Sequence, residues 1–269
     1  MNPFDFLKLI KEKTNCKSYN IAEQIYEKLT NKSYIDSNAN ETIDNSIIKK
    51  FDDIYINKPD YPYEYILGYI KSFDKIITVN ENVLIPRQET EYLIDLIIKE
   101  NINKKNLNIL DICTGSGYIA ICLSCLNYKA ITATDISSLA IETAKHNSKI
   151  NNVDIRFINC SYIDEVKNEG KLYDIITCNP PYIEPTDDYG HEIKYEPDIA
   201  LFTNNTIEPY RIVLKDLHKV LSKNGIAYFE TSSLHHNRYK LLEDEFKCFK
   251  FSFVKDNSNK YRYMIVKFA

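Results

Sequence analysis

Hydrophobic and polar positions follow two different rhythms along this chain, and the change comes near residue 86. Beyond it, short apolar runs at 107–112, 130–134, 155–159, 173–178 and 226–230 alternate with longer stretches at 89–99, 119–126, 139–150 and 207–221. In the longer stretches the apolar residues recur at helical spacing. Runs at 249–255 and 263–268 read as a terminal antiparallel pair. Strands that alternate with helices predict a largely parallel, doubly wound α/β sheet. Ligands of such sheets sit at the carboxyl ends of the strands. Three polar features fall there: a Gly-rich turn after Asp111, then Asp135, then Asn179.

Before residue 86 the rhythm is different. Phe6, Leu7 and Ile10, then Ile21, Ile25 and Leu29, then Ile43, Ile47 and Phe51 lie at helix spacing. Residues 1–70 therefore read as a small helical domain, with Pro59 and Pro62 near its end. Residues 71–85 read as a β-hairpin linker, with runs at 76–79 and 83–85 flanking Asn80, Glu81 and Asn82. Residues 86–269 form the α/β domain.

Composition narrows the function classes. The 269 residues carry a net charge of −4, which argues against a dedicated nucleic-acid binder. No apolar run approaches a membrane span, and the N-terminus has no signal-peptide pattern. Seven cysteines, an odd number and scattered, suit a reducing compartment with free thiols. Cys122 and Cys125 form a CxxC without a second pair or suitably spaced histidines, so burial on a helix is expected rather than a metal site. No metal is expected elsewhere. His235 and His236 are adjacent and read as loop residues. Asp187, Asp188 and His191 lie on a loop after the segment at 179–182.

Candidate chemistry begins at the turn. Asp111, Cys113, Thr114, Gly115, Ser116 and Gly117 come at the end of a strand and open a helix. Glycines there permit positive φ and let backbone amides approach a ligand. Asp135 ends the next strand, twenty-four residues after Asp111, where a carboxylate can accept from both hydroxyls of a ribose. This pairing points to a nucleoside cofactor. The full GxGxxG spacing is missing, since Ala120 stands at its last position, and there is no phosphate loop.

The segment Asn179-Pro180-Pro181-Tyr182 supplies the second half. Two prolines fix the backbone and leave carbonyls free to accept. With the Asn179 side-chain oxygen they can take both hydrogens of an NH2 group, while Tyr182 offers a flat ring for stacking. An amide or adenine amino nitrogen is a poor nucleophile because its lone pair is delocalised. Holding both N–H groups orients that nitrogen toward an electrophilic methyl and stabilises its developing charge. The segment thus predicts nitrogen methylation and leaves protein and nucleic acid undecided.

Taken together, LIPRQETEYLI at 84–94, ILDICTGSG at 109–117, ATD at 133–135 and NPPYI at 179–183 resemble the bacterial and organellar release factor glutamine methyltransferases, the PrmC/HemK family. The likeness spans about residues 60–269. It implies a class I methyltransferase fold, Rossmann-like with a mostly parallel seven-stranded sheet, and a helical N-terminal domain that docks the substrate. It further implies S-adenosyl-L-methionine as cofactor, S-adenosyl-L-homocysteine as product, and class I peptide chain release factors as partners. The methylated atom would be the side-chain amide nitrogen of a Gly-Gly-Gln glutamine. By motif position, Asp111, Cys113, Thr114, Gly115, Ser116, Gly117, Asp135, Ile136, Tyr162 and Asn179 would form the cofactor site. Asn179, Pro180 and Tyr182 would be catalytic, and Pro181, Arg87 and Glu89 would join them against substrate. Two positions depart from the family pattern. Cys113 replaces a glycine, where a side chain would crowd the methionine moiety, and Ser161 replaces an aspartate. The resemblance implies a cytoplasmic enzyme, bacterial or organellar, acting as a monomer without nucleic acid or membrane. Three alternatives stay open at this point: a ribosomal-protein glutamine methyltransferase, a DNA or RNA adenine-N6 methyltransferase, and a binding module that has lost catalysis.

Overall fold

A computed structural model gives the fold. It describes residues 1–16 and 18–269, with the side chains of His191 and Glu192 outside that description. The chain divides into two compact units: 1–69 with 189–195, and 70–188 with 196–269.

The first unit is helical: α1 (Pro3–Thr14), α2 (Tyr19–Thr30), α3 (Asn45–Asn57) and α4 (Tyr63–Leu67). Each long helix begins at a residue whose side chain accepts a backbone N–H of the first turn: Asn2, Ser18 and Asp44. Their apolar faces meet in a core around Phe6, Ile10, Ile25, Tyr26 and Phe51. Phe6 sits edge-on to Phe51 with ring centroids 5.8 Å apart. Residues 189–195 belong here because Tyr195 donates to the Pro59 carbonyl at 2.7 Å and packs edge-on against Tyr61.

In the second unit a hairpin comes first: β1 (Tyr69–Ser72) and β2 (Lys75–Thr78). This corrects the predicted hairpin, which paired 76–79 with 83–85. The turn is Phe73-Asp74, both at positive φ, the two-residue geometry that matches strand twist. Neither residue advertises that conformation as Asn-Gly would. Residues 83–85 form no strand; the Ile85 N–H donates to the Glu196 carboxylate at 2.9 Å instead.

The remaining elements in chain order are α5 (Gln88–Asn101), β3 (Leu107–Ile112), α6 (Tyr118–Cys122), β4 (Tyr128–Asp135), α7 (Ser138–Ile150), β5 (Arg156–Asn159), β6 (Tyr173–Cys178), α8 (Asp198–Leu201), α9 (Glu208–Leu217), β7 (Leu221–Glu230), α10 (His236–Tyr239), α11 (Leu241–Glu245), β8 (Phe249–Lys255) and β9 (Tyr261–Phe268). Seven strands form one sheet in the order β5-β4-β3-β6-β7-β9-β8. The first five are parallel and β9 is antiparallel to both its neighbours. This is the doubly wound class I methyltransferase sheet with its antiparallel edge. β3 and β6 are buried almost throughout, as strands covered by helices on both faces must be. No helix among the described residues is long and apolar enough to cross a membrane.

Two predicted boundaries move for physical reasons. The helix expected over 119–126 ends at Cys122 and tightens into a 3-10 turn over Leu123–Cys125, which leaves Cys122 buried and Cys125 exposed. The helix expected to reach 221 stops at Leu217, and β7 starts at Leu221 rather than 226. Ser222, Lys223 and Asn224 are polar, but the backbone stays on β6 through an irregular register that resumes at Ile226. Gly225 permits it: a Cβ there would lie 2.8 Å from the Tyr173 carbonyl and 3.0 Å from the Ser222 carbonyl. The hairpin is held to α7 by side chains. Asn147 and Asn151, one helical turn apart, each donate to and accept from the backbone of β2, at Thr78 and Ile76.

Gly225→Ala must push backbone apart, so it should destabilise the fold by about 1–3 kcal/mol. A thermal or urea unfolding curve checks this, and an unchanged midpoint would contradict the packing described.

Candidate active site

The sheet order places a switch point between β3 and β6, where successive connections run to opposite sides. Ile112 and Cys178, the last residues of these strands, are paired. The segments leaving the two strands therefore face the same crevice. β3 leads into the turn at 113–117, and β6 leads into Asn179.

The turn is held from below. Asp111 is fully buried and accepts from the Thr114 and Thr177 hydroxyls, both at 2.6 Å. It thereby ties β3, the turn and β6 together. Burial pushes its pKa up to about 6, although the two hydroxyls act in the opposite direction. From the side, Asn147 donates to the Ser116 carbonyl at 2.9 Å, linking the turn to α7 and the hairpin. Gly117 has φ +80, and a Cβ there would press on Ala144 and Ile121 at 3.2 Å. That glycine lets α6 lie against α7. Gly115 has φ +54 with open space where a Cβ would stand.

Asp135 ends β4 beside this turn. Its two oxygens accept the backbone N–H groups of Gly115 and Ser137, each at 2.9 Å. Each oxygen keeps a lone pair for another donor. Burial raises its proton affinity and the backbone donors oppose that rise.

A cavity of about 270 Å³ opens above these residues. Cys113, Thr114, Gly115, Ser116, Asp135, Ile136, Tyr162, Asn179 and Pro181 all line it, so the two predicted half-sites share one space. Leu84, Pro86, Thr90, Pro197 and Ile199 line it as well. Other predicted residues sit elsewhere. Asp111 lies beneath the turn and Gly117 ends it, and neither lines the cavity. Pro180 is buried, and Tyr182 packs on the core with its hydroxyl on Glu230 at 3.1 Å. The Arg87 guanidinium pairs with the buried Glu196 carboxylate. Glu89 lies 3.5 Å from Arg262. Neither Arg87 nor Glu89 is among the residues that line the cavity. The side chain of His191 lies outside the described residues, while Asp187 is 3.0 Å from His235 and fixes the loop.

Three contributors were not singled out in the sequence: Thr90, Glu196 and Glu230. Glu230 carried a readable signal. It is the acidic end of an apolar strand, at the same sheet edge as Asp135 and Asn179.

Backbone strain marks the same place. Among the described residues ten non-glycines have positive φ, and seven of them are Asn or Asp, which tolerate it. Cys113 and Tyr162 are two of the remaining three, and both line the cavity. The Cys113 side chain packs against the core cluster that contains Cys178, so much of it turns toward the core. The Tyr162 carbonyl accepts from the Thr134 hydroxyl at 2.6 Å, which holds its ring at the rim.

The donor set suits an adenosine-bearing cofactor. Asp135 offers acceptors for a ribose diol, Gly115 leaves room for close approach, and Ile136 with Tyr162 gives an apolar and aromatic wall for a base. Comparison with known proteins agrees. Residues 89–194 match the methyltransferase small domain family. The chain is 42% identical over 182 residues to a release factor glutamine methyltransferase of Flavobacterium psychrophilum, spanning 64% of each chain. It therefore covers somewhat less than two thirds of that relative. It is 34% identical to a release factor glutamine methyltransferase of Mycoplasma mycoides, spanning 99% of each chain. Among solved structures it resembles a Thermus thermophilus 16S rRNA methyltransferase bound to AdoMet and guanosine, with TM-score 0.56 and 13% identity over 75% of this chain and 50% of that one. A ribosomal protein L11 methylase from Lactobacillus delbrueckii gives TM-score 0.52 and 22% identity over 68% and 80%. These two likenesses concern the fold.

Asp111 also makes stability depend on pH in a defined direction. Its folded pKa of about 6 lies above the ordinary carboxylate value. Its contribution is therefore fully present below the unfolded pKa and is lost as pH rises through about 6. Asp111→Asn cannot titrate. The stability of the natural protein minus that of D111N should thus grow as pH falls from 7 to 4, by roughly 1–3 kcal/mol at about 1.4 kcal/mol per unit. Urea unfolding of both proteins across that range checks it; a pH-independent difference would contradict it.

Proposed function

The chain belongs to the release factor glutamine methyltransferase family, and on that premise we propose that it methylates a glutamine side-chain amide in class I peptide chain release factors, tuning translation termination. The observation that carries this reading is the shared cavity: the Gly115 and Asp135 side and the Asn179 and Pro181 side face one space. S-adenosyl-L-methionine supplies the electrophilic methyl group when bound. Their positions around the cavity support the following roles for this chain's residues. Asp135 accepts from the ribose hydroxyls. Gly115 and Ser116 bring backbone to the ligand, and Tyr162 and Ile136 flank the base. The Asn179 side-chain oxygen and neighbouring carbonyls accept the N–H groups of the substrate amide.

That arrangement acts by orientation. A glutamine amide is planar, and its nitrogen lone pair is spread over the carbonyl. Acceptors on both N–H groups hold the nitrogen in place and favour its pyramidal form, in which the lone pair is localised. They also stabilise the positive charge that grows on the nitrogen. No strong base is needed, because the methylated amide loses its extra proton readily. We take the substrate to be protein rather than nucleic acid, consistent with the net charge of −4, and the enzyme to work as a cytoplasmic monomer.

The test is transfer of labelled methyl to a release factor, to its Gly-Gly-Gln Gln→Ala variant, and to duplex DNA. Label should appear on the first alone; label on DNA alone would overturn the reading. Asn179→Ala should cut transfer by about a hundredfold or more while leaving the unfolding midpoint near that of the natural protein. Turnover retained in N179A would remove the role given to Asn179.

A further inference from the structure

An asparagine clamp has a direction as well as a position. The Asn179 amide carries an acceptor oxygen and a donor nitrogen of similar size, and only one orientation offers the oxygen to a substrate N–H. Something must set that orientation before substrate arrives.

The structure contains a chain of groups that does so. Asn179 Nδ2 points back at Thr90 Oγ1, 3.5 Å away. The Thr90 hydroxyl donates to Glu230 Oε2 at 2.7 Å. Glu230 Oε1 accepts from the Tyr182 hydroxyl at 3.1 Å. An ionised carboxylate only accepts. Thr90 has a single hydroxyl hydrogen, and Glu230 takes it. What Thr90 has left for Asn179 is a lone pair, which suits NH2 and repels the amide oxygen. Asn179 Oδ1 is thereby turned away from Thr90 and is free for the cavity, which Asn179 lines.

We propose that Glu230 is a positioning residue for the methyl-transfer reaction: through Thr90 it sets the direction of the Asn179 amide, and it fixes the Tyr182 hydroxyl directly. The proposal rests on the reading of Asn179 as an acceptor of the substrate amide. Glu230 does not line the cavity, so it acts only through these partners. It is 1% exposed, and burial raises its proton affinity. The nearby Arg262 pairs instead with Glu89 and Asp256. Among the described residues no cation pairs directly with Glu230, and a carboxylate buried in that way is costly. A glutamine of the same shape would fill the space at lower cost, but its amide donates as well as accepts. The charge adds direction: with two acceptors and no donor, every hydroxyl pointed at Glu230 has one orientation.

Steady-state transfer to a release factor decides the question, with kcat and both KM values measured for the natural protein, Glu230→Gln, Thr90→Val, Thr90→Ser and Asn179→Ala. E230Q and T90V should each lower kcat by about 10- to 100-fold while both KM values stay within about threefold, since the loss falls on the transition state. T90S, which restores the hydroxyl, should recover most of the turnover that T90V loses. Wild-type kcat in E230Q and T90V beside an inactive N179A would overturn the proposal, as would T90S being as impaired as T90V. Should E230Q fail to fold, the Thr90 pair answers the same question with the carboxylate in place. No transfer by the natural protein, or full turnover in N179A, would instead remove the clamp reading and this proposal with it.

Discussion

The parallel pairing of β3 with β6 is the constraint on which the rest depends. It sets Ile112 beside Cys178, so that the turn after one strand and the proline-stiffened segment after the other emerge together. The two segments are more than sixty residues apart in the chain. A shift of one residue in this register would reverse every side chain on β6 relative to the core. The nearly continuous burial of both strands opposes such a shift. The cavity is thus a product of the sheet, and its precision comes from the hydrophobic core beneath.

Buried polar groups transmit that precision upward. Asp111 binds a hydroxyl on its own turn and one on β6, so the register is also written in hydrogen bonds. Asn147 does the same between α7, the hairpin and the turn. Such networks stabilise a single arrangement only when every member is satisfied. The strained backbone at Cys113 and Tyr162 sits above them, where neighbouring structure over-determines it. The Cys113 side chain is accommodated partly by packing against the core beneath. The left-handed backbone remains, although a glycine would adopt it without steric cost.

Much of this was legible in the sequence because it depends on local chemistry. Apolar runs of five or six residues found β3 and β6 with their bounds intact, since a strand buried on both faces has an unambiguous pattern. Asp135 and Asn179 announced themselves as polar residues ending such runs. The hairpin turn is hard to find in the sequence because it needs positive φ at Phe73 as well as at Asp74, and a phenylalanine gives no sign of that conformation. The start of β7 is hidden by Ser222, Lys223 and Asn224, polar residues that an irregular register around Gly225 carries beside β6. The pairing of Arg87 with Glu196 is not legible in the motif around Arg87, because Glu196 is 109 residues away in sequence. Long-range pairing of this kind leaves no local trace.

Glu230 is easy to overlook for a related reason. A carboxylate at a strand end in a methyltransferase sheet invites assignment to a ligand, as with Asp135. The two differ in what their oxygens face. Asp135 takes backbone N–H groups whose positions the fold already fixes, and it keeps lone pairs for the cavity. Glu230 takes two hydroxyls, each able to rotate, and orients them. In the proposed enzyme one acid therefore contacts the ligand, while the other decides which way a neutral amide points. A cavity assembled from neutral groups with several hydrogen-bonding states needs at least one group with a single state to anchor the rest. At this sheet edge, the buried carboxylate of Glu230 supplies that single state.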